Sequence, residues 1–371
     1  MATESELPGE LWEEPIGHGP AVRGLWRADR AGRLPHALLF TGPAGIGKFR
    51  AARWFTLGLY CERGQPAEGG APCGQCGPCK RVKSASHLDV FAVDLLETPA
   101  DERPEELKIG RFVRRERDSD WDGATVDEFL ALRAAEGGWR VVLVREMERA
   151  NVAAQNSILK MLEEPSPNVL WVLECSRKND LLPTIASRCV QVQFERLEID
   201  AVRAWLEQRG IAAERARVLA RWSRGSPGEA LRSLAQREWE LRGLLVETLR
   251  GGAPPLVAAA AVWELDGSFE GKTAKAIERA RTRTALDLAL ACLRDLAQAR
   301  EGAPQSELPH ADLASLNLPV ARSGATLRAT LETLLALRRD VESNIDPPLL
   351  LDRAFLALAP RAAAPRPAAA R

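Results

Sequence analysis

The pattern of apolar positions along this chain changes near residue 196. Before it, unbroken apolar runs alternate with stretches whose apolar residues recur every three or four positions. The runs ALLFT (37–41), WRVVLV (139–144) and NVLWVLEC (168–175) have the continuous hydrophobicity of strands buried on both faces. HLDVFAVDLL (87–96) and CVQVQF (189–194) predict two further strands. Between them, FRAARWFTLGLYC (49–61), VDEFLALRAA (126–135), NVAAQNSILKMLE (151–163) and LLPTIASR (181–188) predict helices. Asn151 is a suitable N-cap for the third of these, and Pro165 stops it. Strands alternating with helices imply a parallel α/β sheet, with ligands at the carboxyl ends of its strands. Residues 62–86, rich in Gly, Pro and Cys, are expected to hold no regular structure. The charged stretch 97–124 is expected to be a loop or hairpin excursion.

Beyond residue 196 the strand pattern disappears. Residues 199–234 predict two or three short helices with a turn at GSPG (225–228). Residues 237–360 predict longer amphipathic helices, broken once at Gly251, Gly252, Pro254 and Pro255. The Pro/Ala-rich end, 361–371, predicts disorder.

Charge narrows the function classes. Lys+Arg and Asp+Glu both number 51, so the net charge is zero. That excludes a protein held to nucleic acid or anionic membrane by bulk charge, though a local basic face is still compatible with it. The dense basic run RFVRRER (111–117) lies among acidic residues and reads as a solvated loop. No apolar run is long enough to span a bilayer, and the acidic start MATESELPGELWEEP lacks the layout of a signal peptide. A soluble, cytoplasmic protein without membrane contacts is expected.

Two motifs carry chemistry. Gly42-Pro43-Ala44-Gly45-Ile46-Gly47-Lys48 fits a phosphate-binding loop between a strand and a helix. Gly42, Gly45 and Gly47 let backbone N–H groups close around phosphates, and Lys48 would reach the terminal ones. The next position should supply a hydroxyl to Mg²⁺, but Phe49 stands there. The strand at 141–144 should end in an acidic pair, but it ends in Arg145-Glu146. With both metal positions lost, no ATPase activity is expected, and ATP binding is expected to be weak or absent. The second motif is Cys73-x2-Cys76-x2-Cys79 with eleven residues between Cys61 and Cys73, four of seven cysteines in one short segment. In a reducing compartment such spacing reads as a closed, structural four-thiolate zinc site, with an iron–sulfur cluster or unliganded thiols as alternatives. Cys175, Cys189 and Cys292 are expected to be small buried apolar residues.

The order of RLPHALLFTGPAGIGK (33–48), Cys61 with CGQCGPC (73–79), EGGWRVVLV (136–144), ILKMLEEP (158–165) and LLPTIASRC (181–189) resembles the clamp-loader branch of the AAA+ superfamily. Within it, the closest resemblance is to the delta-prime group of bacterial DNA polymerase III. The resemblance implies a RecA-like AAA+ domain (1–195) with a zinc module at about 61–79, a small helical lid (196–236) and an all-α collar (237–360). It also implies a non-catalytic stator in a ring with gamma/tau-type ATPase subunits and a delta subunit. That ring opens the sliding clamp and places it on primed DNA during replication. Ser187-Arg188-Cys189 matches the motif whose arginine is presented to ATP bound by a neighbouring subunit. Glu229, in GSPGEAL (225–231), stands where an active relative carries a nucleotide-sensing lid arginine. An active gamma/tau-type ATPase is the alternative reading, and a stand-alone zinc-containing DNA-binding protein is a third.

Overall fold

The structure is a computed structural model that describes residues 13–63, 71–95, 106–114, 121, 123–136, 138–269, 271, 273–305, 308–316, 318–343 and 345–360. The acidic start (1–12), much of the predicted excursion (96–105 and 115–120) and the predicted disordered tail (361–371) lie outside the described residues. The chain divides into two compact units. One runs to Trp205 and takes in Arg224–Glu229; the other holds Leu206–Ser223 and the chain from Ala230 onward.

The first unit is built on a parallel sheet of β1 (Ala37–Thr41), β2 (Val90–Val93), β3 (Arg140–Val144), β4 (Val169–Cys175) and β5 (Val190–Gln193). The strand order is β2-β3-β4-β1-β5, with every pairing parallel. Continuous apolar runs become the three inner strands because both of their faces are covered. Leu38, Phe40, Val141, Leu143, Leu170 and Val172 pack on one face against Val22 and Trp26 of α1 (Gly19–Arg30) and Trp54 and Phe55 of α2 (Lys48–Tyr60). Leu39, Val142, Val144, Trp171 and Leu173 pack on the other, against α4 (Val126–Ala131) and against Ala154, Ile158 and Leu162 of α5 (Val152–Glu163). This is an α/β sandwich with helices on both faces of a parallel sheet, as the alternating pattern predicted. β1 is an inner strand beside β5, yet its connection leads to β2 at the far edge, so the loop after β1 opens at a switch point of the sheet. The edge strand β5 alternates Val and Gln and is mostly exposed.

Local differences from the sequence pattern have identifiable causes. Residues 62–86 are not wholly irregular: α3 (Gly77–Lys83) forms there, with Pro78 in its first turn and Cys79 and Val82 buried against Leu57 and Cys61. α4 ends at Ala131, short of the predicted 135. Its last carbonyls are taken by the buried Arg140 guanidinium, which donates to Phe129 O and Leu132 O. β2 begins at Val90 rather than at 87. The Asp89 amide donates to His87 Nδ1, and the Asp89 carboxylate accepts from the Ala135 and Glu136 amides at 2.8 Å each. Asn151 does cap α5, its Oδ1 accepting from the Ala154 amide at 3.0 Å.

The second unit is helical. Its core joins α10 (Glu238–Arg250), α11 (Pro255–Glu264), α12 (Ala274–Arg300), α13 (Gly324–Asp340) and α14 (Pro347–Leu358) through residues such as Leu245, Leu286, Leu293, Leu334 and Phe355. A polar group is buried within it. Arg242 Nε donates to His310 Nδ1 (3.1 Å), Arg242 Nη2 pairs with Asp312 (2.6 Å), and Asp295 accepts from the His310 amide (2.9 Å). Among the described residues, no helix is long and apolar enough to cross a membrane.

Candidate functional site

The loop after β1 has the backbone of a phosphate-binding loop. Gly45 (φ +71°) and Gly47 (φ +94°) lie in the left-handed region, where a side chain would be strained, and Gly47 caps α2. The lysine that would reach a phosphate already has internal partners. The Lys48 side chain is 2% exposed and pairs with Glu174, near the end of β4, at 2.9 Å. Its ammonium also donates to Pro43 O (2.7 Å) and Ser176 Oγ (2.8 Å). An ammonium has three N–H donors, and these three acceptors match them. Burial pushes the Glu174 carboxyl up, and the Lys48 charge opposes that shift. Glu174 also accepts from the Glu146 amide at 2.9 Å.

The GSPG turn covers the loop from outside. The Gly228 amide donates to Gly45 O (2.8 Å) and Ser226 Oγ to Ala44 O (3.2 Å). These residues lead into α9 (Pro227–Ala235), with Glu229 in its first turn. His18, buried and held below its usual pKa by desolvation, bonds through Nε2 to Ile46 O at 2.9 Å.

Phe49 and Arg145, the two residues expected to stand where metal ligands would be, come together. Phe49 is buried, and the guanidinium groups of Arg53 and Arg145 lie 4.8 and 5.3 Å from its ring centre. Both arginines reach the buried Asp94, at 3.4 and 3.5 Å. A benzene ring and two cations thus occupy the region where a hydroxyl and a carboxylate would hold Mg²⁺. Glu146, in the left-handed region at φ +50°, turns its side chain to Arg149 at 3.0 Å.

Cys61 follows α2 directly, Cys73 and Cys76 precede α3, and Cys79 lies within it. Their four Sγ atoms all lie within 4.8 Å of one another. Cys73 and Cys79 are 3.9 Å apart, close to the roughly 3.8 Å edge of a tetrahedron with metal–sulfur bonds of about 2.3 Å. Backbone N–H groups of Gln75 and Cys76 push the Cys73 thiol down to about 6, favouring the thiolate a metal requires. The number and spacing of these thiols fit one metal ion.

Arg188 sits between α6 (Pro183–Ala186) and β5. α6 is fixed to α5 by the buried Gln155, which donates to Ala150 O (2.8 Å) and Asp180 O (3.2 Å) and accepts from the Leu182 amide (2.8 Å). The Arg188 side chain, about one-third exposed, donates from Nη1 to Thr184 O at 2.9 Å and from Nη2 to Glu163. Cys175 and Cys292 are fully buried, as expected. Cys189 is only partly buried, one residue before the exposed edge strand β5.

Glu174, Ser226 and Glu163 were not anticipated as parts of these sites. The first had a legible signal: a Glu inside the apolar run VLWVLEC requires a buried cationic partner. The other two partnerships join residues far apart in sequence and left no local pattern.

The family described as DNA polymerase III, delta subunit, matches residues 17–198. The DNA polymerase III subunit delta' of Pseudomonas aeruginosa is 35% identical over 249 residues, 66% of this chain and 70% of that protein. The tau subunit of Escherichia coli is 29% identical over 228 residues, 60% of this chain and 32% of that protein. Among solved structures, a gamma subunit-related protein of Thermotoga maritima is 19% identical, with 91% of this chain and 98% of that chain covered at a TM-score of 0.41.

Proposed function

The chain belongs to the delta-prime family of DNA polymerase III subunits, and on that basis we propose that it is a non-catalytic clamp-loader subunit. The observation that carries the proposal is the enclosure of Lys48 by Glu174, Pro43 O and Ser176, beside Phe49 and Arg145. To bind a triphosphate, Lys48 would have to leave a buried carboxylate. Arg53 and Arg145 would then repel the Mg²⁺ that makes such binding tight. The proposed role is that of a stator whose shape does not depend on nucleotide.

The same reading makes Arg188 the group this chain supplies to a neighbouring gamma/tau-type ATPase subunit. A guanidinium offered in trans stabilises charge developing on the transferred phosphoryl group, an effect on the order of 10³–10⁵ in rate in other systems. Its support is the position of the partly exposed Arg188 just before the exposed edge strand β5, on a platform pinned by Gln155. Zinc at Cys61, Cys73, Cys76 and Cys79 would be structural, since four thiolates leave no open position. In the assembly, residues 196–236 would serve as lid and 237–360 as collar, beside the ATPase and delta subunits. Contact with the sliding clamp and primed DNA would come through the ring, in the cytoplasm.

Two measurements test the proposal. Titration of the isolated chain with ATP and Mg²⁺ should show neither tight binding nor turnover. Both together would favour the active gamma/tau-type reading that the Escherichia coli relative suggests. In the rebuilt complex, Arg188→Ala should lower DNA-stimulated ATP turnover and clamp loading while assembly is retained. Unchanged turnover would refute the trans role.

A further inference from the structure

We propose that Glu163 is a positioning residue for Arg188, holding the guanidinium in the orientation in which it meets the neighbour's phosphoryl group. The inference rests on the trans role proposed for Arg188.

Glu163 is the last residue of α5. A carboxylate is disfavoured there, because the unpaired carbonyls at a helix C-terminus carry partial negative charge. The Arg188 guanidinium, reaching it from the next helix–strand junction, supplies the missing countercharge. Arg188 is therefore gripped from two elements. Thr184 O, in α6, takes Nη1 at 2.9 Å, and Glu163, in α5, takes Nη2. Ser187 Oγ adds a long contact to Nη1 at 3.5 Å. Two grips on different nitrogens fix the plane of a guanidinium, which a single one does not. Nε–H takes part in none of these bonds, so the fork keeps donors for an incoming oxyanion.

The alternative is an ornamental surface ion pair, which most exposed pairs are. The side chains of Arg188 and Glu163 are 32% and 46% exposed. Coulomb attraction alone thus gives Glu163 little stabilising value, and its proposed use is geometric. An arginine has several freely rotating bonds, and an unheld one must be ordered each time the neighbour's site closes. Gln155 already fixes the backbone of α6, so the remaining freedom lies in the Arg188 side chain, where Glu163 acts.

The experiment is ATP turnover against ATP concentration in the complete complex rebuilt with primed DNA. It uses this chain as wild type, Glu163→Ala, Glu163→Gln, Arg188→Ala and the double alanine variant. Assembly is checked by size exclusion. Glu163→Ala should produce at least about a third of the drop in kcat caused by Arg188→Ala, with KM for ATP unchanged. Glu163→Gln, which keeps an acceptor oxygen, should recover most of that loss. In the Arg188→Ala background, Glu163→Ala should have no further effect. A normal kcat in Glu163→Ala, a change confined to KM, or a further loss in the double variant would overturn the role of Glu163 while Arg188→Ala still showed its own loss. An unaffected Arg188→Ala would instead overturn the trans role and this inference with it. If Glu163→Ala fails to assemble, Glu163→Ser, too short to reach the guanidinium, takes its place: a kcat loss that Glu163→Gln recovers supports the role, and a normal kcat overturns it.

Discussion

The ion pair inside the phosphate-binding loop gives a sharp prediction about stability. Lys48 and Glu174 are 2.9 Å apart, with side chains 2% and 7% exposed. At an effective dielectric near 20, charges this close attract by roughly 6 kcal/mol. Desolvation consumes much of that, but removing one partner leaves the other buried and uncompensated, typically at a cost of about 3–5 kcal/mol. Glu174→Gln should fall at the lower end, about 3 kcal/mol, because Lys48 keeps Pro43 O and Ser176 Oγ as neutral acceptors. Lys48→Met should cost a similar amount at neutral pH. The Glu174 carboxyl, already raised by burial, would then lose the charge that opposes the shift. A folded-state pKa above the unfolded value means that the folded state binds the extra proton. The Lys48→Met deficit should therefore shrink as pH falls from 7 toward the ordinary Glu range, by up to about 1.4 kcal/mol per pH unit. The double variant Lys48→Met/Glu174→Gln should cost well below the sum of the two, with a coupling of about 2–3 kcal/mol. Native-state hydrogen exchange at the buried amides of β1, β3 and β4 reads the opening of this unit alone. Single variants below about 1 kcal/mol whose effects simply add would refute the claim that the pair locks the loop.

The purified chain should carry one zinc ion, and Cys76→Ser should reduce the bound metal below one per chain by elemental analysis, since three thiolates leave the site open. Gly58→Ala should destabilise the chain in spite of the roughly 1 kcal/mol that Ala gains over Gly within a helix. A methyl at Gly58 would fall inside the buried Trp26 indole, which α1 holds against α2 with a bond to Phe55 O at 2.9 Å. The expected net loss is about 1–3 kcal/mol by chemical denaturation. His310 is pushed down to about 3 by burial and by the Arg242 charge, against 6.5 when unfolded. Its contribution is complete above pH 6.5 and is lost progressively as pH falls from there toward 3. Between pH 7 and 5 the second unit should lose about 2 kcal/mol to this group. A His310→Gln variant should show a flatter pH dependence of unfolding, and an unchanged slope would rule the group out as the cause.

The sheet was legible because its inner strands are unbroken apolar runs, and the helices because their apolar residues recur at helical spacing. The misreadings share a physical origin in partners distant along the chain. α3 lies in a Gly/Pro/Cys segment of poor helical propensity, yet Cys79 and Val82 are packed against Leu57 and Cys61 of the preceding element. α4 has the composition to run further, but Arg140, on a later strand, takes its terminal carbonyls. In the candidate sites, the phosphate-binding loop, the four thiols and Arg188 were visible as local motifs. Their partners Glu174, Asp94, Ser226 and Glu163 were not, since each is reached from another element.

The partners unseen in the sequence account for how a loop of this kind can persist without a nucleotide. A phosphate-binding loop built for an anion leaves a buried cation when the anion is absent, and an unpaired buried charge is costly. Here Glu174 supplies the anionic charge from within the chain, and the GSPG turn closes over the loop by bonding to its carbonyls. Asp94, between Arg53 and Arg145, balances charge where the metal would sit. On the proposed reading, the loop thereby serves as a rigid joint at the start of α2. That helix is about 20 Å long, at 1.5 Å per residue over its 13 residues. Its far end passes directly into Cys61, so the phosphate-binding loop and the thiol cluster brace opposite ends of one element. α2 also supplies Trp54 and Phe55 to one face of the sheet, whose edge strand begins just beyond Arg188. In the proposed stator, an internal carboxylate thus takes over the structural part of the nucleotide's role. The chain then needs no nucleotide of its own to hold Arg188 in place for its neighbour.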